Sequence, residues 1–192
     1  MKHASLRSLP GRTHGQSIIE TALLLPILLL LAFNAINFGY FFFAAVNLAA
    51  APRAGVQYSI IGEQTPVNIP LPPAGPPTSQ VSVSYLTYRD MQGVLSGSAN
   101  ARVQVCSRAL GVNGTGTSTR ANCQQFGPGS ETFTPAADPE APFFILNRVD
   151  VVYQTQPIIP AFELPTPAGP IPLTLVPNLR FHRQVSMRAM GG

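Results

Sequence analysis

Glu20 places a carboxylate directly before 32 uncharged residues, Thr21 to Pro52. At the centre of a bilayer an acid costs about 2.5–3.5 kcal/mol on insertion scales. Near a helix end it costs less, because the carboxylate snorkels towards the headgroups and complements the N-terminal dipole by about 0.3–1 kcal/mol. The chemistry such a group offers is pairing with a cation that would otherwise be buried alone. Sulfur chemistry rests on Cys106 and Cys123, the only two cysteines. The stretch between them, SRALGVNGTGTSTRAN, is polar and Gly-rich. A disulfide is expected there, worth about 3 kcal/mol in the loop-entropy account; two free thiols are the alternative in a reducing compartment.

Nothing else converges. His3 and His14 precede the apolar run and His182 stands alone, so no metal set is expected. The remaining acids (Glu63, Asp90, Glu131, Asp138, Glu140, Asp150 and Glu163) are scattered. Asp138 and Glu140 flank Pro139 and read as solvated loop acids, while Asp150 alternates with Val149 and Val151 and reads as facing water. Nucleophile-elbow, zinc-protease, P-loop and dinucleotide fingerprints are missing. The expectation is therefore no enzyme and no cofactor. Asn113-Gly114-Thr115 fits a glycosylation pattern of low specificity and is read as part of a loop tip over 113–119.

Composition sets the elements that hold these residues. Of 192 residues, 45% are hydrophobic and only 10% charged, with a net charge of +4. No Lys/Arg run follows Arg12, so nucleic acid is not an expected partner. Eighteen of the 20 prolines lie beyond residue 51, which disfavours long helices there. The uncharged run exceeds the ~20 residues needed to cross a hydrocarbon core of ~30 Å. A helix over 16–51 would be roughly 54 Å long, so its last turns project beyond the lipid. Phe38, Tyr40, Phe41, Phe42 and Phe43 fall where an outer aromatic belt belongs. Lys2, Arg7 and Arg12 put the N-terminus in the cytoplasm and residues 53–192 outside. A cleaved secretory signal ending near Ala49 and Ala51 is the alternative, but the run is about twice too long for one. Asn34 and Asn37 share a helical face suited to interhelical hydrogen bonds, and Ala44, Ala45 and Ala49 would let a neighbouring helix approach closely.

The setting of Glu20, THGQSIIETALLLP, resembles the type IV pilins. The resemblance implies that a prepilin peptidase cuts between Gly15 and Gln16 and usually methylates the new N-terminus. Glu20, the fifth residue counted from Gln16, would then neutralise a neighbouring subunit's terminal amine during assembly. Pro26, six residues after Glu20, makes E-T-A-L-L-L-P similar to the opening of TadE-like proteins, the pseudopilins or minor pilins of the tight-adherence (Tad, Flp) pilus. NLAAAPRAGVQYSI carries a further likeness in Arg53, Gly55 and Tyr58. VDVVYQTQPIIP and VSMRAM look like the family's closing strands. Two departures stand out: Pro52 interrupts a stretch that is usually helical, and Gln16 can cyclise, which would remove the amine Glu20 is to meet. Pro26 either kinks the helix usefully or is filler.

Residues 62–80 hold six prolines and read as an extended linker or a surface loop. Beyond them VSVSY (81–85), ARVQVC (101–106), VDVVY (149–153) and LRFHRQVSM (179–187) alternate with period two and predict strands. A weaker helical pattern covers Tyr88 to Leu95. The expected fold is α+β and pilin-like. A basic cytoplasmic leader (1–15) leads into a transmembrane assembly helix (16–61), then the Pro-rich linker (62–80) and a small antiparallel β-rich extracytoplasmic domain (81–192).

The resemblance implies a minor pilin or pseudopilin that takes part in Tad pilus assembly and surface adhesion, anchored in the bacterial inner membrane. Membrane lipid, a prepilin peptidase, the major Flp pilin, other TadE- or TadF-like subunits and the inner-membrane pilus platform are the implied partners. A signal-anchored envelope binding module that never polymerises and a type II secretion pseudopilin are the alternatives. Pro26 and the Arg53–Tyr58 stretch favour the Tad reading over the latter.

Overall fold

The computed structural model describes residues 14–61, 71–93, 101–112, 122–128, 132–134, 136–141, 143–160, 163–165, 167, 169–172 and 178–189. The basic leader up to residue 13, linker residues 62–70 and the loop tip at 113–119 lie outside them. Helix α1 runs from His14 to Ile60, 47 residues, or about 70 Å at 1.5 Å per residue. Its Leu- and Ala-rich sequence suits helix throughout. Pro26 and Pro52 both lie inside it, each forgoing one backbone bond. The expected interruption at Pro52 does not occur. Pro52 is itself buried beside Ala51, Gly55 and Val56, and packing of that face holds the helix through the proline.

The VSVSY segment, expected as a strand, instead enters a second helix, α2, Val83–Met91. Ser82 caps it: its Oγ accepts from Tyr85 N at 3.1 Å. The carbonyls of Pro73 and Ala74 accept from Val83 N and Ser84 N at 3.0 Å each. Three of the first-turn N–H groups that a helix leaves open are thereby satisfied. The buried side chains Val83, Thr87 and Met91 follow the helical period, which overrides the short alternation of Val81, Val83 and Tyr85. Of the helical pattern at Tyr88–Leu95, Tyr88–Met91 is the tail of an element that starts earlier, Gln92 and Gly93 form a turn, and 94–95 lie outside the described residues. Linker residues 71–80 supply those carbonyls, so this half is a packed loop and not an extended spacer.

Strands β1 (Ala101–Ala109), β2 (Cys123–Phe126), β3 (Leu146–Thr155) and β6 (Leu179–Arg188) form one antiparallel sheet in the order β2-β1-β3-β6. The two-residue strands β4 (Glu163–Leu164) and β5 (Ile171–Pro172) pair separately. The register sets Val103 opposite Val151, Val105 opposite Val149 and Ala101 opposite Tyr153. Directly opposed residues share a face, and this face meets the helices. Its core joins Ala44, Leu48, Ala51 and Val56 of α1 with Val83 and Met91 of α2. Fully burying a side chain such as Leu48 contributes about 1.5–3 kcal/mol.

The other face of the sheet corrects the reading of the acids. Asp150 is 0% exposed and Asp138 only 5%, because residues 132–134 and 136–141 lie over this face, with Ala136 bonded to Gln184 and Phe133 against His182. Arg148 Nε donates to Asp150 Oδ2 at 2.9 Å, and its Nη1 lies 3.5 Å from Asp138 Oδ2. Asp138 Oδ2 also accepts from Val112 N at 2.7 Å. Its Oδ1 accepts from Gln184 Nε2 at 3.0 Å and from the Ser186 hydroxyl. His182 Nε2 lies 3.2 Å from Asp150 Oδ1, so this histidine does not stand alone. Each buried carboxylate has the cation or donors that a low-dielectric site requires.

Candidate assembly helix and its mounting

Helix α1 is two helices in environment. From Ser17 to Ile36 no residue is buried, and Ile18, Leu23, Leu28, Leu31 and Ile36 are each more than half exposed. Apolar residues point outward on every side, as in a membrane span and unlike an amphipathic surface helix. These 20 residues measure about 30 Å, the thickness of a hydrocarbon core. From Asn37 onward one stripe is buried: Asn37, Ala44, Leu48, Ala51, Gly55 and Ser59, spaced by three, four or seven residues along one face. Among the described residues, α1 is the one helix long and apolar enough to cross a membrane, a single-pass anchor by length and composition.

The Gly15–Gln16 bond lies in the first turn of α1, and Glu20 is exposed one turn further on. Pro26 lies half-buried within the free span. The other motif residues serve the far end of the helix. Gly55 is buried where α1, α2 and β3 meet; a Cβ there would overlap Thr87 Oγ1 and lie 3.4 and 3.5 Å from the two methyls of Val149. Tyr58 Oη donates to Val81 O at 3.2 Å, tying α1 to the entrance of α2. Arg53 is exposed. Gly55 and Tyr58 therefore dock the helix, while Glu20 and the Gly15–Gln16 bond sit about 50–65 Å away at its free end, at 1.5 Å per residue.

Two asparagines of α1 depart from the expectation of a shared face for hydrogen bonds between helices: Asn34 lies in the free span and Asn37 opens the docked stripe. Asn37 clamps the loop after β3: Nδ2 donates to Ile159 O at 3.2 Å and Oδ1 accepts from Ile159 N at 2.9 Å. Asn34 Nδ2 donates to Leu30 O within its own helix, at 2.7 Å. Of the small stripe Ala44, Ala45 and Ala49, Ala44 is fully buried by this chain's own core, so it is not open to another helix. Phe41 of the aromatic belt packs on Phe181, ring centres 4.9 Å apart.

Several linking residues escaped sequence reasoning. Asn147 joins three elements: its Oδ1 accepts from Arg108 N at 2.8 Å and its Nδ2 donates to Ser59 O at 3.2 Å. The Tyr88 hydroxyl hydrogen is shared between Ala101 O at 2.9 Å and Phe126 O at 3.1 Å. Burial pushes the Tyr88 phenol up to about 12, with the Arg102 charge pulling the other way. Arg188, over the Phe144 ring at 3.8 Å, has its pKa raised by the hydrogen bond to Glu140. The disulfide that the sequence does lead one to expect joins Cys106 and Cys123, directly opposed on β1 and β2, and closes a loop of separation 17. Arg148 Nη2 lies 3.4 Å from Cys106 Sγ, so the bridge backs onto the Asp138–Arg148–Asp150 cluster. An alternating strand shows which residues share a face, but not that a distant loop will cover it.

No curated protein and no solved structure matches the chain. The family model described as TadE-like protein matches residues 15–57. That match starts at the glycine before Gln16 and ends one residue short of Tyr58; the sheet lies outside it, as do the stretches 149–160 and 179–190 that resemble closing strands. From Gly15 to Gln57, the length of the free span and most of the docked stripe, the chain is similar to the TadE-like family.

Proposed function

We propose that the protein is a minor pilin or pseudopilin of a Tad (Flp) pilus system, held in the bacterial inner membrane by α1 before assembly. The observation that carries this reading is the start of the TadE-like match at Gly15, the residue after which a prepilin peptidase would cut. Cleavage there leaves Gln16 as the new terminus, with Glu20 four residues on, about 6 Å along the helix. An amine entering an apolar bundle needs a carboxylate partner, and a neighbouring subunit's Glu20 supplies one. The role is structural, not catalytic. Residues 53–192 lie outside the cytoplasm, where they meet the major Flp pilin, other TadE- or TadF-like subunits and the assembly platform, and so support surface adhesion.

The test is the N-terminus and intact mass of the membrane-extracted chain, with and without a co-expressed prepilin peptidase. A new terminus at Gln16, methylated or not, that depends on the peptidase is expected. A chain still starting at Met1 in the presence of active peptidase refutes the pilin reading and leaves a signal-anchored binding module.

A further inference from the structure

Asn37 is both the first buried residue after the 20-residue free span and the clamp on Ile159. The loop Gln156–Pro160 is therefore held where α1 leaves the hydrocarbon. Its composition suits that place. The run QPIIP has no charge, and Pro157 and Pro160 have no N–H to desolvate. Both backbone groups of Ile159 are already bonded to the Asn37 side chain. Groups that remain unpaired in an apolar medium cost free energy; the tip Pro157–Pro160 has few of them to lose, and the exposed amide of Gln156 sits at the sheet side of the loop, next to Thr155. Beside the clamp, Ile158 is 57% exposed, and Phe38 and Phe42 on α1 are 55% and 54% exposed. Aliphatic and aromatic side chains collected at one level are what an interfacial belt requires.

We propose that Ile158 is a second membrane contact: the loop after β3 inserts into the outer interface of the same bilayer that α1 crosses. The sheet then does not stand off the lipid on a free stalk. Its Thr155–Leu179 end rests on the membrane, and its Leu146–Arg188 end, paired at the other limit of the register, points away. Interfacial side chains of this kind reach about 5–10 Å into the headgroup and acyl boundary. The inference rests on α1 being a membrane anchor, and its test separates the two.

The chain has no tryptophan, so single-Trp variants of the full chain report one position each. Leu28→Trp probes the span, Ile158→Trp the loop and Phe143→Trp the opposite end of the sheet, where Phe143 is 84% exposed. All three replace exposed side chains. Each variant is reconstituted in phosphatidylcholine–phosphatidylglycerol vesicles and quenched with either aqueous iodide or lipid brominated high on the acyl chain. The expected result is blue-shifted emission from Ile158→Trp that bromolipid quenches and iodide does not, with Leu28→Trp also lipid-quenched and Phe143→Trp open to iodide. If Leu28→Trp is lipid-quenched but Ile158→Trp behaves like Phe143→Trp, the loop contact is wrong and the anchor stands. If Leu28→Trp is not lipid-quenched, the anchor itself fails and the loop contact with it.

Discussion

Replacing Gly55 by Ala separates a glycine kept for close approach from one that merely lowers helix propensity. In an exposed helix interior, Gly to Ala is favourable by up to about 1 kcal/mol. Gly39 meets those conditions, since a Cβ there would have nothing within 4 Å. At Gly55 the new methyl would overlap Thr87 Oγ1 and press on Val149. Thr87 has no room to turn away, because it is buried and its hydroxyl donates to Val83 O at 2.9 Å. Overpacking of this kind costs about 1–3 kcal/mol. After the full propensity gain, a net loss of up to about 2 kcal/mol remains, equivalent to a drop of up to roughly 8 °C in Tm for a chain of this size. The assay is thermal unfolding in detergent, followed by the near-UV circular dichroism of the tyrosines. Tyr58, Tyr88 and Tyr153 sit in or against the core, so the signal reports the docked domain and not the free span. Gly55→Ala should lower Tm while Gly39→Ala leaves it level or raises it. Combining Gly55→Ala with Thr87→Ala should recover stability relative to the sum of the two single changes. If Gly55→Ala behaves like Gly39→Ala, the close-approach argument for this motif residue is refuted.

Other outcomes follow from the same contacts. Glu20→Ala should abolish or sharply reduce pilus assembly while membrane insertion, read by carbonate extraction, is unchanged; normal piliation would remove the charge-pairing role. Gly127 has φ +102°, and a Cβ there would overlap Tyr88 Oη and Ala101 O, so Gly127→Ala should destabilise the domain by about 1–3 kcal/mol in the same melt. Cys123→Ser removes the disulfide and should lower stability by about 3 kcal/mol, read by denaturant unfolding under non-reducing conditions. The raised Tyr88 pKa means that the unfolded phenol ionises first as pH increases. The stability linked to Tyr88 is therefore intact below pH 10 and lost as pH rises from 10 towards about 12. Tyrosinate absorbance and unfolding should show this alkaline loss, and Tyr88→Phe should lessen its steepness.

The strands were legible wherever one face alone carried the apolar residues. Val103 and Val105 on β1, and Val149, Val151 and Tyr153 on β3, alternate and do line one face of the sheet. Alternation failed at VSVSY, where a serine cap and two carbonyls from the Pro-rich loop outweighed three residues of strand-like pattern. It also misled at Asp150. Facing away from the valines is not the same as facing water when Arg148, His182 and Asp138 close over that side. The register that assembles this cluster pairs residues thirty or more positions apart, and local sequence does not encode such pairs.

The apolar run could be recognised as a helix whose last turns leave the lipid, but its hydrophobicity did not show where packing on the outer domain begins. Residues 17–36 are Leu-rich and residues 37–60 Phe- and Ala-rich, both predominantly apolar, yet one part lies free and the other packs on a sheet. Hydrophobicity reports the tendency to leave water and is silent on whether lipid or protein takes water's place. The polar residues make the division. Glu20 stands near the start of the free span, and Asn37 ends it by spending both functions of its amide on one loop residue. An amide facing lipid with no partner would be costly; one facing a backbone that offers both an acceptor and a donor is satisfied and directional. Asn37→Leu keeps the helix and its apolarity but leaves Ile159 N–H and C=O without these bonds, at a cost of about 1–3 kcal/mol. Local hydrogen exchange at Ile159 should rise in that variant while exchange around Leu28 does not. Unchanged protection at Ile159 would show that packing, and not the asparagine, marks where the membrane helix becomes part of the outer domain.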